Sequence, residues 1–248
     1  MLYGPILSYI DGRILSCGGN KNKDCYLYHP LNDSWSVYST SSFTHDLQPG
    51  EIYNKKIYLS DDENPEVFDP ATNAWSSWPT PKNTGGEGAC LVAWKEFFFL
   101  IGGYTDKRGF QTFNHSSNTW EALGSSSVPM DVLLSDCLLL PSDEILVVGS
   151  EYAPYVNSAA LYNIEANTWK QLPNSTSPRA GGGLVILGTR IFVMGDHFEN
   201  VVEEFDYDTS TWSPVEAKLI THRDGHQGIL PLPAEMFQHL PGGCVGVQ

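Results

Sequence analysis

The residues that could do chemistry are seven histidines, five cysteines and a scatter of carboxylates. A metal centre needs several such ligands converging on one point. The histidines are His29, His45, His115, His197, His222, His226 and His239, and the close pair among them is His222 and His226. That pair lies in a connection between repeated units rather than on one helix face, so a structural role is expected and no metal is assigned. Cys17, Cys25, Cys90, Cys137 and Cys244 include no C-x2-C spacing of the zinc type. Asp61-Asp62-Glu63 could attract a cation or a basic partner, but a solvated turn is the simpler reading. No Gly-rich phosphate loop precedes a helix, and no nucleophile stands beside a base. The expectation is a protein that is not an enzyme and carries no cofactor.

The elements that position these residues are strands. Aromatics make up 12% of the chain and charged residues only 17%, a mix that suits sheets better than surface helices. Twenty-three glycines and sixteen prolines supply turns. A formal net charge of −15 disfavours phosphate backbones and anionic membranes and favours basic partners. No apolar run approaches the ~18 residues that span a bilayer. The opening MLYGPILSYIDG lacks the basic start and long apolar stretch of a signal peptide, and it enters the repeat at once, as if something preceded it.

The repeat is read from tryptophan. Trp35, Trp75, Trp120, Trp169 and Trp212 are 40, 45, 49 and 43 residues apart. Seven residues before each stands an aromatic: Tyr28, Phe68, Phe113, Tyr162, Phe205. Two residues before each stands a turn former: Asp33, Asn73, Asn118, Asn167, Ser210. Upstream lies an apolar strand with a Gly-type ending, as in RILSCGG (Gly18, Gly19) and FFFLIGG (Gly102, Gly103), with Ser60-Asp61, Gly149-Ser150 and Gly195-Asp196 in the other copies. A shorter apolar strand and a tight turn precede that. Four antiparallel strands per 40-odd residues make one propeller blade.

The double glycine, the aromatic-Asp-Pro-x-x-Asn-x-Trp string and the Pro178-Arg179 and His222-Arg223 elements resemble kelch repeats, over almost the whole chain. The expected fold is therefore all-β: a single kelch-type β-propeller domain over 1–248. Five complete four-stranded blades are placed at about 5–41, 42–84, 85–129, 130–178 and 179–222. HQGILPLP and AEMFQHLPGG supply two strands of a partial sixth at 223–248, giving a six-bladed ring with its last blade incomplete. The five tryptophans and their aromatic partners are expected to pack between blades.

Cys17, just before Gly18-Gly19, and Cys25, opening the next strand, would face each other across a hairpin, which permits a disulfide. The pattern resembles extracellular kelch proteins; two reduced small residues in a sheet is the equal alternative. Cys90 and Cys137 fall at equivalent places on neighbouring innermost strands and are expected to be buried small hydrophobes rather than a bond. Asn32, Asn114 and Asn174 head glycosylation sequons, although such turns are rich in Asn and Ser in any case. Sequons and cysteines point to an extracellular parent; the missing signal peptide points to the cytoplasm.

Asp208-Thr209-Ser210-Thr211-Trp212 resembles the aspartate box of sialidases but lacks its glycine and coincides with the repeat turn. Galactose oxidase shares the repeat style, yet its tyrosine, cysteine and histidine copper ligands have no equivalent set here. The resemblance implies instead a protein-interaction scaffold, without nucleic acid or membrane span, that binds other proteins through the loops after the glycines. Tyr104, Lys107, Arg108, Tyr152, Tyr155, Asp61 and Asp62 are the candidate contact residues, because exposed aromatics and Arg dominate interfaces. The alternatives are a galactose-oxidase-like or other propeller enzyme and a fragment of a larger kelch protein, either a ubiquitin-ligase adaptor or actin-associated.

Overall fold

The computed structural model describes residues 4–19, 21–82, 86–123, 128–154, 156–195 and 200–220. These residues form five four-stranded antiparallel sheets, each a simple meander. The first holds β1 (Ile6–Ile10), β2 (Arg13–Cys17), β3 (Asn22–His29) and β4 (Ser34–His45). The second holds β5 (Gly50–Tyr53), β6 (Lys56–Leu59), β7 (Glu66–Asp69) and β8 (Ala74–Ser77), and the third β9 (Ala89–Trp94), β10 (Phe97–Gly102), β11 (Phe110–Asn114) and β12 (Thr119–Ala122). The fourth holds β13 (Asp136–Leu140), β14 (Glu144–Val148), β15 (Ala159–Asn163) and β16 (Thr168–Leu172), and the fifth β17 (Gly183–Leu187), β18 (Arg190–Met194), β19 (Val201–Asp206) and β20 (Thr211–Lys218). This is a β-propeller of five blades among the described residues. The sequence reading of a sixth falls on residues 223–248, outside them. The one marked difference in strand extent is β4, which runs to His45 instead of stopping near 41; two register irregularities against β3 let it bend and continue.

The turn signal has a direct backbone cause. Asp33, Asn73, Asn118, Asn167 and Ser210 all have positive φ, between 47° and 55°. Short polar side chains tolerate this left-handed turn, which β-branched and bulky ones resist. The turn then sets the register. Tyr28, Phe68, Phe113, Tyr162 and Phe205 lie directly opposite Trp35, Trp75, Trp120, Trp169 and Trp212 in the outer hairpins. Their ring centroids are 5.0, 4.7, 5.3, 5.0 and 4.7 Å apart, within the range of favourable aromatic pairs.

A lone sheet cannot bury both faces, so the core lies between blades. One apolar cluster joins Leu15 and Cys25 of the first blade to Ile57 and Phe68 of the second. A second joins Val67 to Phe98 and Trp120, a third joins Ile101 and Phe110 to Val147 and Tyr162, and a fourth joins Leu146 and Leu161 to Val193 and Phe205. Successive innermost strands, β1 through β17, pack against one another, but no comparable packing links β17 back to β1.

The glycines after the second strands serve this close stacking. Gly102, at φ 73°, lies so near Val132 that an added Cβ would overlap the Val132 backbone, and Gly149, at φ 76°, stands in the same relation to the Arg179 carbonyl. The tryptophans do not behave uniformly. Trp120 is 2% exposed and its Nε1 donates to the Pro79 carbonyl of the preceding blade at 2.7 Å. Trp75 and Trp212 reach back likewise, to Ser39 Oγ and the Pro173 carbonyl, each at 3.0 Å. Trp169 is half-buried, and its Nε1 has no partner among the described residues. Trp35 corrects the expectation: it is 47% exposed, packed on Tyr28 of its own blade.

Candidate functional site

Two places gather polar side chains: the loop face and the central channel. At the loop face, the segment after Gly103 is pinned by backbone hydrogen bonds. Tyr104 N donates to the Glu87 carbonyl, Gly103 N to that of Val132, and Val132 N to that of Lys107. This brings loops of three blades together. The Tyr104 hydroxyl donates to Glu151 Oε2 at 3.1 Å, and the Lys107 ammonium lies 4.3 Å from the Tyr152 ring centroid. Burial and then the Glu151 carboxylate push the Tyr104 phenol up to about 12. Even so, Tyr104 and Tyr152 are 45% and 46% exposed. Asp62 accepts from the Thr105 side chain, and burial with Asp61 nearby raises its carboxyl above the usual range. Glu87 is raised by burial and by Asp46, Asp62 and Asp61, against a lowering contribution from Lys21. The face is thus two exposed tyrosines and one lysine beside an acidic field.

The other residues singled out from sequence take different places. Arg108 is engaged in the loop itself, its Nε donating to Asp131 Oδ1 at 2.8 Å. Asp61 Oδ1 accepts from the backbone of Glu63 and Asn64, which makes it a turn brace. Tyr155 lies outside the described residues, as do His197, His222, His226, His239 and Cys244. Cys17 and Cys25 lie opposite each other in β2 and β3 and are joined by a disulfide, Cα to Cα 4.0 Å. Asn32 is exposed; Asn114 accepts from Ser116 N at 2.8 Å within its turn; Asn174 donates to Asn157 Oδ1 at 3.3 Å. His45 is buried against Glu66, 2.8 Å away, and His115 is ringed by Tyr53, Tyr58, Phe98 and Phe113, with burial lowering its imidazole.

Among the described residues, none of the contact residues expected from the sequence lies in the channel. First strands of four blades enclose a cavity of about 100 Å³, lined by Gly50, Cys90, Asp136, Cys137 and Gly183 among others. Asp136 Oδ2 is buried and has no hydrogen-bond partner among the described residues. Burial pushes the Asp136 carboxyl up to about 8 despite the attraction of Arg179. Glu51 is pushed to about 7 by burial, although Ile52 N and Ala93 N donate to it at 2.7 and 3.3 Å. The only signal in the sequence was an acidic residue opening an otherwise apolar innermost strand, as in DCLLL. Among the described residues, no three of His, Cys, Asp and Glu converge as a metal-ligand group. A wider cleft of about 500 Å³ opens between the fourth and fifth blades, beside Arg190, Glu204 and Tyr207. No helix among the described residues is long and apolar enough to cross a membrane.

No protein-family model matches the chain. Kelch-like protein 23 of Homo sapiens is 25% identical over 166 residues, which are 62% of this chain and 28% of that protein. F-box/kelch-repeat protein At5g39560 of Arabidopsis thaliana is 28% identical over 126 residues, 41% of this chain and 30% of that protein. The chain thus spans less than a third of the length of these curated relatives. Among solved structures, YjhT superposes with a TM-score of 0.75 at 11% identity, covering 90% of this chain and 86% of that one. A fungal alcohol oxidase in complex with copper superposes with a TM-score of 0.68 at 17% identity, covering 90% and 55%. Sequence likeness to kelch proteins, a shared propeller fold, and five copies of one aromatic-turn-tryptophan hairpin point the same way: the chain is a β-propeller whose repeats resemble those of kelch proteins.

Proposed function

We propose that this propeller is a non-enzymatic protein-interaction scaffold that binds partners through its loop face. The observation that carries this reading is the meeting of Tyr104, Lys107 and Tyr152 from two loops, half-exposed and held in place, beside Asp62, Glu87 and Glu151. Rigid exposed aromatics offer contact area at little entropic cost. The surrounding carboxylates and the net charge of −15 favour a partner surface bearing Lys or Arg. The kelch relatives support a binding role in kind; they name no partner for this chain. The test compares proteins recovered by the wild type with those recovered by a Tyr104→Ala, Lys107→Ala, Tyr152→Ala triple variant. Loss of specific partners from the variant, with weaker capture by the wild type as salt rises, is the expected result. An identical partner set would end the proposal.

The enzyme alternative rests on a propeller fold shared with the copper-bound alcohol oxidase, at an identity that speaks for fold alone. A sixth blade belongs to the same reading. We infer that this blade is partial, from the strings HQGILPLP and AEMFQHLPGG, which resemble the first two strands of the repeat. Hydrogen exchange on the whole chain tests it: protected amides within 226–241 are expected, and exchange there at unfolded-chain rates would remove the sixth blade.

A further inference from the structure

Cys90 and Cys137 sit on β9 and β13, the innermost strands of consecutive blades, which pack side by side. Both line the same channel cavity, and neither is in a disulfide. The Cys90 S–H donates to the Ser135 carbonyl at 3.3 Å, and Cys90 is near enough to Cys137 to help push its thiol up. Two thiols from different blades are thus already neighbours. Cys90 is 2% exposed, whereas Cys137 is partly open to the cavity. A volume of about 100 Å³ admits an oxidant the size of a few waters, each occupying about 30 Å³ in the liquid.

We propose that Cys90 and Cys137 are an oxidation site: a peroxide entering the channel converts the pair to a disulfide that staples the third blade to the fourth. The Cys137 thiolate attacks one peroxide oxygen, the O–O bond breaks, and a sulfenic acid and hydroxide form. The Cys90 sulfur then attacks the Cys137 sulfur, displacing the sulfenic oxygen, which leaves as water with the Cys90 proton. In sum, two thiols and one hydrogen peroxide give one disulfide and two waters; the sulfurs lose two electrons and the peroxide gains them.

The surroundings set the conditions. Burial, the contact with Cys90, and the carboxyls of Glu51 on β5 and Asp136 on β13 all push the Cys137 thiol up. Arg179, from the connection into the fifth blade, acts on Asp136. Thiolate is therefore scarce at neutral pH, and oxidation is slow there and faster in alkali. The product carries no charge, so the carboxyls that oppose a thiolate do not oppose the disulfide. This bond would differ from Cys17–Cys25, which joins partners eight residues apart within one hairpin. Cys90 and Cys137 are 47 residues apart, so their bond restrains a longer stretch of the unfolded chain.

The experiment uses the full chain carrying Cys244→Ser, so that Cys90 and Cys137 are its remaining thiols. Hydrogen peroxide is applied, residual thiols are alkylated, and the protein is digested without reduction for mass spectrometry. The expected result is a linked Cys90–Cys137 peptide, equal loss of alkylation at both, a higher melting temperature, and a rate rising up to about tenfold per pH unit. Cys90→Ser should leave Cys137 trapped as sulfenic or sulfinic acid, with no rise in melting temperature. Absence of a linked peptide, or oxidation of Cys137 while Cys90 remains alkylatable, overturns the proposal. Neither result bears on the loop face, which shares no residue with the channel pair.

Discussion

The junctions between blades and the outer surfaces of the same blades are built from the same residue types and do different work. Trp120 and Trp35 occupy equivalent hairpin positions, each opposite an aromatic partner. Trp120 is enclosed by Trp78, Phe98 and Phe113 and bonded to the blade before it; Trp35 faces solvent. Arg179 and Arg190 both pair with carboxylates on β19. Arg179 and Glu203 are wholly buried, and Arg179 also donates to the Gly195 and Val201 carbonyls at 3.3 and 3.0 Å. Arg190 and Glu204 meet at 2.5 Å on the surface. Gly149 and Gly12 both have positive φ, but only Gly149 has a neighbour where a Cβ would go. A repeat supplies a residue; the next blade decides its energetic weight.

The largest test of this contrast is at tryptophan. Trp120→Ala should cost about 3–5 kcal/mol in urea unfolding, and Trp35→Ala under about 1 kcal/mol. Equal costs would mean that Trp35 is covered in solution and the contrast fails. The ion pairs come next. Arg179→Ala leaves Glu203 buried and uncompensated and should cost about 3–5 kcal/mol; Arg190→Ala should cost under about 1 kcal/mol.

The pH dependence sharpens the point. Burial pushes the Glu203 carboxyl up, but hydrogen bonds from Thr176 and Arg179 outweigh it and hold the carboxyl below its usual range. A depressed carboxyl binds its proton less readily when folded. Its stabilisation is therefore present above about pH 4.3, the unfolded value, and is lost as pH falls through the folded one. Denaturation midpoints between neutral and acid pH should accordingly fall more steeply in wild type than in Glu203→Gln. The glycines give the smallest effect: about 2–4 kcal/mol for Gly149→Ala, from backbone strain plus overlap with Arg179, against about 1 kcal/mol for Gly12→Ala. Matching losses in thermal melts would show that conformation alone, and not the close approach of the next connection, makes glycine necessary at Gly149.

Much of the fold was legible because its signals are local. Asn118 two residues before Trp120 implies a left-handed turn, and the turn imposes the pairing of Phe113 with Trp120. The loop residues were legible only as a set. Tyr104, Lys107 and Tyr152 share a surface because two loops meet, whereas Arg108 turns to Asp131 and Asp61 to its own backbone. The channel was not legible. Nothing local distinguishes Asp136 from a surface aspartate or Glu51 from a strand-edge glutamate, since their raised carboxyls come from enclosure by several blades.

The sequence by itself determined the unit: strand order, turn conformation, hairpin register and the number of complete copies within 4–220. These rest on φ preferences and alternating side chains within 40-odd residues, which each copy states independently. Only the tertiary structure decided which copies of one position are buried, which carboxyls burial pushes up, and that two cysteines on separate blades line one cavity. Those outcomes depend on desolvation and close packing between blades, which no single repeat encodes.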